Sequence, residues 1–281
     1  MTPVSDRNHR ITFQRTPQGL PTPGDFGADT TPIPAPGPGQ FLSRTVWLSL
    51  DPYYRNVMKG SQLYAEGVKP GDVMIGDTVA QIIESRHTDY RAGEFVRVRN
   101  GWQEYALSSG QDVRKLDPAA APVSTALGVL GMPGITGYAG LVYLGEPKPG
   151  ETVVVSAATG AVGTTAGQVA RLVGARAVGI AGSDEKCDFA VRELGYEACV
   201  NYKKGDLAAQ LKAVCPRGID VYFDNVGGDT LQAVLRNLAL HARVVLCGMI
   251  ESYSLDQPPP GPFLGPVVGA RATMRGLAVP T

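Results

Sequence analysis

The chain has 281 residues, enough for two ordinary domains, and 43% of them are hydrophobic, as in a globular protein with a sizeable core. Its 26 basic and 26 acidic side chains cancel and no Lys/Arg run stands out, which argues against nucleic acid or a membrane surface as partner. The start of the chain is polar rather than signal-like, no apolar run is long enough to span a bilayer, and Cys187, Cys199, Cys215 and Cys247 form no C-x-x-C pair. These features lead us to expect a cytoplasmic protein with reduced thiols, without a disulfide framework or a zinc knuckle.

Taken in order, the stretch 17–39 is dense in proline (Pro17, Pro21, Pro23, Pro32, Pro34, Pro36, Pro38); it cannot be helical and reads as an extended surface segment. From Phe41 the pattern changes to short β-like runs at 41–50, 73–83, 95–98 and 102–107, with no long helix before about residue 125. Ser49-Leu50-Asp51-Pro52-Tyr53-Tyr54-Arg55 marks a strand entering a turn, and by themselves its tyrosines and Arg55 read as packing and surface charge. The region 124–143, rich in glycine and small residues, reads as a link into a helix at 135–143. The expected boundary therefore falls between a β domain, 1–124, and a second domain, 125–281.

Val153-Val154-Val155 has the signature of a buried parallel strand, and it runs into the turn Ala158-x-Gly160-x-x-Gly163 and an amphipathic helix over 161–173. Strand, glycine turn and helix form the first half of a dinucleotide-binding unit, with Ala158 in place of the usual first glycine. Taken alone, such a turn serves packing as readily as a cofactor. Strands at 176–181, 198–202, 219–226 and 242–248 then alternate with helices at 184–194, 206–215 and 230–238. This alternation predicts an α/β fold with a doubly wound parallel sheet. The second strand ends at Ala181-Gly182-Ser183 without the acid that reads a ribose 2′-hydroxyl, while Asp184 opens the next helix and Lys186 lies in its first turn. That combination favours NADP over NAD.

With these residues assembled, the chain resembles the zinc-independent medium-chain dehydrogenase/reductase family, in its branch of NADPH-dependent 2-alkenal, leukotriene B4 12-hydroxydehydrogenase and prostaglandin reductases. The motifs are Ser49-Leu50-Asp51-Pro52-Tyr53-x-Arg55, Val155-Ser156-Ala157-Ala158-x-Gly160-Ala161-Val162-Gly163, Gly179-Ile180-Ala181-Gly182-Ser183-x-Glu185-Lys186, Asp224-Asn225-Val226-Gly227-Gly228 and Cys247-Gly248-x-Ile250-x-Ser252-Tyr253. They span most of the chain in the family's order. The resemblance implies a GroES-like β domain followed by a Rossmann domain, usually in a homodimer. It also implies that Gly160, Ala161, Val162 and Gly163 hold the pyrophosphate of NADP(H) and that Lys186 and Tyr202 meet its 2′-phosphate. Asn225, the run Cys247, Gly248, Met249, Ile250, Glu251, Ser252 and Tyr253, and finally Leu277, Ala278 and Val279 would complete the cofactor's surroundings.

Zinc-dependent relatives need Cys, His and acidic ligands in the β domain. This chain has Asp77 where those relatives place His, no Cys in its first domain, and only scattered His9, His87 and His241, so no metal is expected. The activity implied is hydride transfer to the β carbon of an α,β-unsaturated aldehyde or ketone. Tyr253 would donate a hydrogen bond to the developing oxyanion, and Tyr53 and Tyr64 would line the pocket. A quinone reductase and a non-catalytic NADPH-binding protein remain as alternatives. Two departures stand out: the proline-rich stretch 256–262, and an end near the sixth strand where family members continue for several dozen residues, so that a C-terminal part is expected to be missing.

Overall fold

In the computed structural model, which describes residues 6–60, 67–257 and 259–279, prolines bracket the second strand rather than break it. β1 (Arg7–Phe13) pairs antiparallel with β2 (Phe26–Pro32), from Arg7 opposite Pro32 to Phe13 opposite Phe26. Between Pro23 and Pro32 every residue keeps its N–H, so a ladder forms inside a stretch whose composition predicts only extended chain.

A second, antiparallel sheet follows in the order β6-β3-β4-β5-β7, built from β3 (Phe41–Leu48), β4 (Thr78–Ser85), β5 (Phe95–Val98), β6 (Tyr105–Ser108) and β7 (Arg114–Leu116). Its inward residues recur at every second position. Ala80 and Ile82 of β4 and Val96 and Val98 of β5 meet Phe41 in the core. β4 starts later than the expected 73 because the residues before it are committed elsewhere. A Cβ on Gly76 would lie 2.8 Å from Leu48 and 2.9 Å from the Trp102 ring, and Asp77 pairs with Arg97 at 2.7 Å.

α1 (Tyr54–Met58) is the only α-helix among the described residues before Met132, and it corrects the reading of Arg55 as surface charge. Arg55 is buried at 5% exposure, and its guanidinium donates to the carbonyls of Pro17 at 2.6 Å and Gly19 at 3.0 Å. Thr16 likewise donates to the Met58 carbonyl at 2.9 Å, so the proline-rich segment is pinned to this helix.

The chain divides into two compact units after Gly131; Ser124 lies in a 3-10 turn (Val123–Leu127) on the first unit's side. The second unit opens with α2 (Met132–Ala139), which widens into a π-helical turn over Gly140–Gly145. It then alternates β8 (Thr152–Ser156), α3 (Ala161–Leu172), β9 (Arg176–Ala181), α4 (Asp184–Arg192), β10 (Ala198–Asn201), α5 (Leu207–Val214), β11 (Ile219–Asp224) and α6 (Gly228–Leu235). The last elements are β12 (Leu238–Leu246), α7 (Gly265–Ala270) and β13 (Thr273–Gly276). All pairs in the six-stranded sheet are parallel, in the order β10-β9-β8-β11-β12-β13. The order reverses between β8 and β11, the switch point at which open sheets of this kind take ligands.

The run of three valines is explained by burial on both faces of β8. Val153 and Val155 pack with Ala166 and Ala170 of α3, while Val154 packs on the other face with Leu211 of α5 and Leu231 of α6. β11 ends at Asp224, short of the expected 226, because its own carboxylate accepts the N–H groups of Val226 and Gly227 at 2.9 and 3.0 Å and turns the chain. No helix among the described residues is long and apolar enough to cross a membrane.

Candidate functional site

Beyond Ser156 the chain turns sharply, with Ala157 at φ 47°, before Gly160 caps α3. The methyl of Ala158, in the place of the usual first glycine, is accommodated by a second glycine across the sheet. A Cβ on Gly179 of β9 would lie 2.9 Å from the Ala158 methyl and 3.0 Å from the Cys199 sulfur. Gly163 and Gly160 do different work. A Cβ on Gly163 would lie 2.3 Å from the Ala157 carbonyl oxygen, so this glycine lets helix and strand approach. A Cβ on Gly160 would meet only that same oxygen, at 3.2 Å, and Gly160 lines an open groove.

The groove has a volume of about 1080 Å³ and runs along the carboxyl ends of the parallel strands. Of the residues expected at the cofactor, it brings together Gly160, Lys186, Tyr202, Ile250 and Glu251. Ser183, at the tip of β9, also lines it and caps α4 by accepting the Lys186 N–H at 3.2 Å. The Tyr202 ring lies over Gly182, where a Cβ would come within 3.1 Å of it. Arg236 and Asp229 of the α6 region reach the groove as well; they carry no motif, and only the fold places them there.

The helix N-termini at this end differ in how they are capped. α4 has Ser183, α5 has Asp206, and α6 has the Glu251 carboxylate, which accepts the Asp229 N–H at 3.4 Å and packs where Gly228 has no side chain. α3 has neither a side-chain cap nor an acid in its first turn. Its first N–H groups and its partial positive charge are thus left for an anion at the Gly160 turn. A dinucleotide diphosphate fits that requirement, and Lys186 lines the same groove.

The other expected residues lie off the groove wall. Asn225 braces β11 against β8, its amide donating to the Ser156 carbonyl at 2.7 Å and its backbone N–H to the Ser156 hydroxyl at 2.8 Å. Ala161, Val162 and Gly163 form the first turn of α3. Cys247 and Gly248 donate their backbone N–H groups to the Asp224 carbonyl at 2.8 and 3.0 Å. Met249 and Ser252 belong to the following turn, where the Tyr253 hydroxyl accepts the Met249 N–H at 3.2 Å. Leu277, half-buried, packs over Gly140 and Phe223, and Ala278 and Val279 follow it. Tyr53 is in the first unit, its ring 4.5 Å from that of Tyr54, with burial pushing its phenol up to about 12. Tyr64 lies outside the described residues.

Residues 9–116 match a family described as the N-terminal domain of oxidoreductase, and residues 161–280 match one described as zinc-binding dehydrogenase. An NADPH-dependent curcumin reductase of Escherichia coli (strain K12) is 47% identical over 278 residues, covering 97% of this chain and 81% of the relative. The chain belongs to the medium-chain dehydrogenase/reductase family. An NADP(+)-dependent 2-alkenal reductase of Nicotiana tabacum is 41% identical over 246 residues, covering 86% of this chain and 72% of the relative. The crystal structure of CurA from Vibrio vulnificus in complex with NADPH superimposes with a TM-score of 0.90 at 43% identity, covering 96% of this chain and 82% of that one.

In this family member no group of three or more His, Cys, Asp or Glu among the described residues is placed to hold a metal ion. Asp77 is engaged by Arg97 at 2.7 Å and Arg99 at 3.6 Å. His9 pairs with Glu104 at 2.7 Å, and His87 accepts the Asp89 N–H at 3.0 Å. Burial pushes Cys247 up to about 12 and raises Cys199 further, so both stay protonated at neutral pH.

Asp224 opens one of the sequence motifs, but its role there is visible only in the structure. It is fully buried, and its Oδ1 accepts from Tyr222 at 2.8 Å, Ser156 at 3.1 Å, Val226 at 2.9 Å and Gly227 at 3.0 Å. It therefore ties β8, β11 and the turn into α6 into one rigid switch point.

Proposed function

We propose that this chain is an NADPH-dependent oxidoreductase that reduces the C=C bond of α,β-unsaturated aldehydes and ketones. The observation that carries the cofactor reading is the uncapped start of α3 opening on a groove that also holds Lys186 and Tyr202. The substrate class is supported by the reductases of curcumin and of 2-alkenals among its relatives. When bound, NADPH supplies a hydride.

The chain's own contribution starts at the diphosphate, which the N-terminal N–H groups of α3 would hold. Lys186 would neutralise the 2′-phosphate, with the Tyr202 hydroxyl beside it. We assign Tyr253 as the donor to the substrate oxygen as charge builds there. Its hydroxyl accepts from the Met249 N–H at 3.2 Å, which orients the phenol.

The reading is tested by following NADPH consumption with a panel of enals, enones and quinones and identifying the products. A saturated carbonyl compound supports it, and an allylic alcohol or no turnover would overturn it. Tyr253→Phe should lower kcat for an enone about a hundredfold while NADPH affinity stays within about twofold. An unchanged kcat would remove Tyr253 from the chemistry.

A homodimer belongs to the same reading, supported by β13 as an edge strand with Phe263 and Val268 exposed near it, and light scattering of the chain in solution tests it. A cytoplasmic setting is supported by the four cysteines, all unpaired.

A further inference from the structure

Asp184 is the acid nearest the tip of β9, the place from which a carboxylate reads a ribose 2′-hydroxyl in NAD-binding sheets. Its neighbours Ser183 and Lys186 line the groove, but Asp184 does not. Both of its oxygens are occupied from across the sheet edge. Asn201, the last residue of β10, donates from Nδ2 to Oδ1 at 2.9 Å, and the Lys204 ammonium binds Oδ2. These partners hold the carboxyl below its ordinary value, so it carries its charge at neutral pH.

The segment that presents Lys204 is itself folded onto Asn201. The Asn201 side-chain oxygen accepts the Lys203 N–H at 3.1 Å, and its carbonyl accepts the Lys204 N–H at 3.0 Å. Gln210 of α5 closes the loop through the carbonyls of Asn201, at 3.3 Å, and Lys204. Two consecutive lysines are thus divided between tasks. Lys203 faces the groove, its ammonium 5.9 Å from the centre of the Tyr202 ring, and Lys204 faces Asp184.

We propose that Asn201 and Lys204 are specificity-positioning residues: by occupying both oxygens of Asp184 they turn this acid away from the ribose end of the groove and keep the site selective for NADPH over NADH. The inference rests on the 2′-phosphate lying by Lys186 and Tyr202. Released from the clamp, the carboxylate would repel a phosphate and become available to a 2′-hydroxyl.

The test is a set of NADPH and NADH dissociation constants for the full chain and for Lys204→Met, Asp184→Asn and the double variant, with Lys186→Met as the control. Lys204→Met should weaken NADPH about fivefold, the order of one unit charge acting at short range through water, and should narrow the NADPH/NADH preference by at least that factor. In the Asp184→Asn background the same change should have no effect, because nothing remains to be clamped. Equal losses in both backgrounds would mean that Lys204 acts on the phosphate by its own charge, and an unchanged preference would mean that the clamp is idle. Either overturns the proposal while Lys186→Met still weakens NADPH. If Lys186→Met leaves NADPH binding intact, the placement of the phosphate is wrong and the proposal falls with it.

Discussion

Gly163→Val should cost about 3 kcal/mol of folding stability, read as a fall in the urea midpoint. A Cβ at this position meets the backbone of the Ala157–Ala158 turn: the Ala157 carbonyl oxygen at 2.3 Å, and the Ala157 and Ala158 carbonyl carbons at 3.0 Å each. No rotamer relieves a clash with main chain, so α3 must move off β8. That displacement reaches the core, because the Gly163 carbonyl accepts the buried Tyr196 hydroxyl at 2.7 Å and the Tyr196 ring fills the space that Gly167 leaves open. Burial raises the Tyr196 phenol far above its ordinary value, so an orphaned hydroxyl there would remain a neutral group with no partner. Gly163→Ala should show most of the loss, since the first carbon alone makes the contact. A variant with the urea midpoint of the parent would contradict this account of the turn.

Asp224→Ala should be similarly severe, at about 3–4 kcal/mol, because one buried acceptor serves four donors. Removing it strands the N–H groups of Val226 and Gly227 and the Tyr222 hydroxyl together. Asp224→Asn should cost less and should change how stability depends on pH. Burial raises this carboxyl above its ordinary value, so the fold binds the proton more tightly than the unfolded chain does. The sign follows directly: between the ordinary and the raised pKa the parent loses stability as pH rises, and the Asn variant lacks that contribution. Urea midpoints measured for both proteins across the acid range test it. Parallel pH curves would show that Asp224 does not titrate as its burial requires.

These two residues also illustrate what is legible in such a chain. Gly163 is visible in the sequence because a strand, a small-residue turn and a helix must meet closely, and the spacing states where. Asp224 stands inside a quoted motif, yet its role depends on full burial beneath two strands and a turn, which no local pattern encodes. The strands and helices of the parallel sheet are legible for the reason seen at Val153, Val154 and Val155: burial on both faces leaves an unbroken apolar run. The first unit is harder to read. β2 hides among prolines because only its flanks carry them, and Arg55 looks like surface charge until the chain brings the Pro17 and Gly19 carbonyls around it. At the site, Lys186 and Tyr202 meet on one groove because they follow the neighbouring strands β9 and β10, Lys186 in the first turn of α4 and Tyr202 just past Asn201, whereas Asp229 and Arg236 arrive from the α6 region with no signal in the sequence.

The most direct test of the account is a calorimetric titration of the chain and of Gly160→Val with NADPH, alongside their thermal melts. Gly160 has ordinary extended backbone angles (φ −75°, ψ 166°) and lines the groove, and the nearest atom to a Cβ there would be the Ala157 carbonyl oxygen at 3.2 Å. The account predicts saturable binding by the parent, loss of at least a hundredfold in affinity in the variant, and closely similar melting temperatures in the absence of nucleotide. NADPH bound equally well by the two proteins, or by neither while both remain folded, would contradict it.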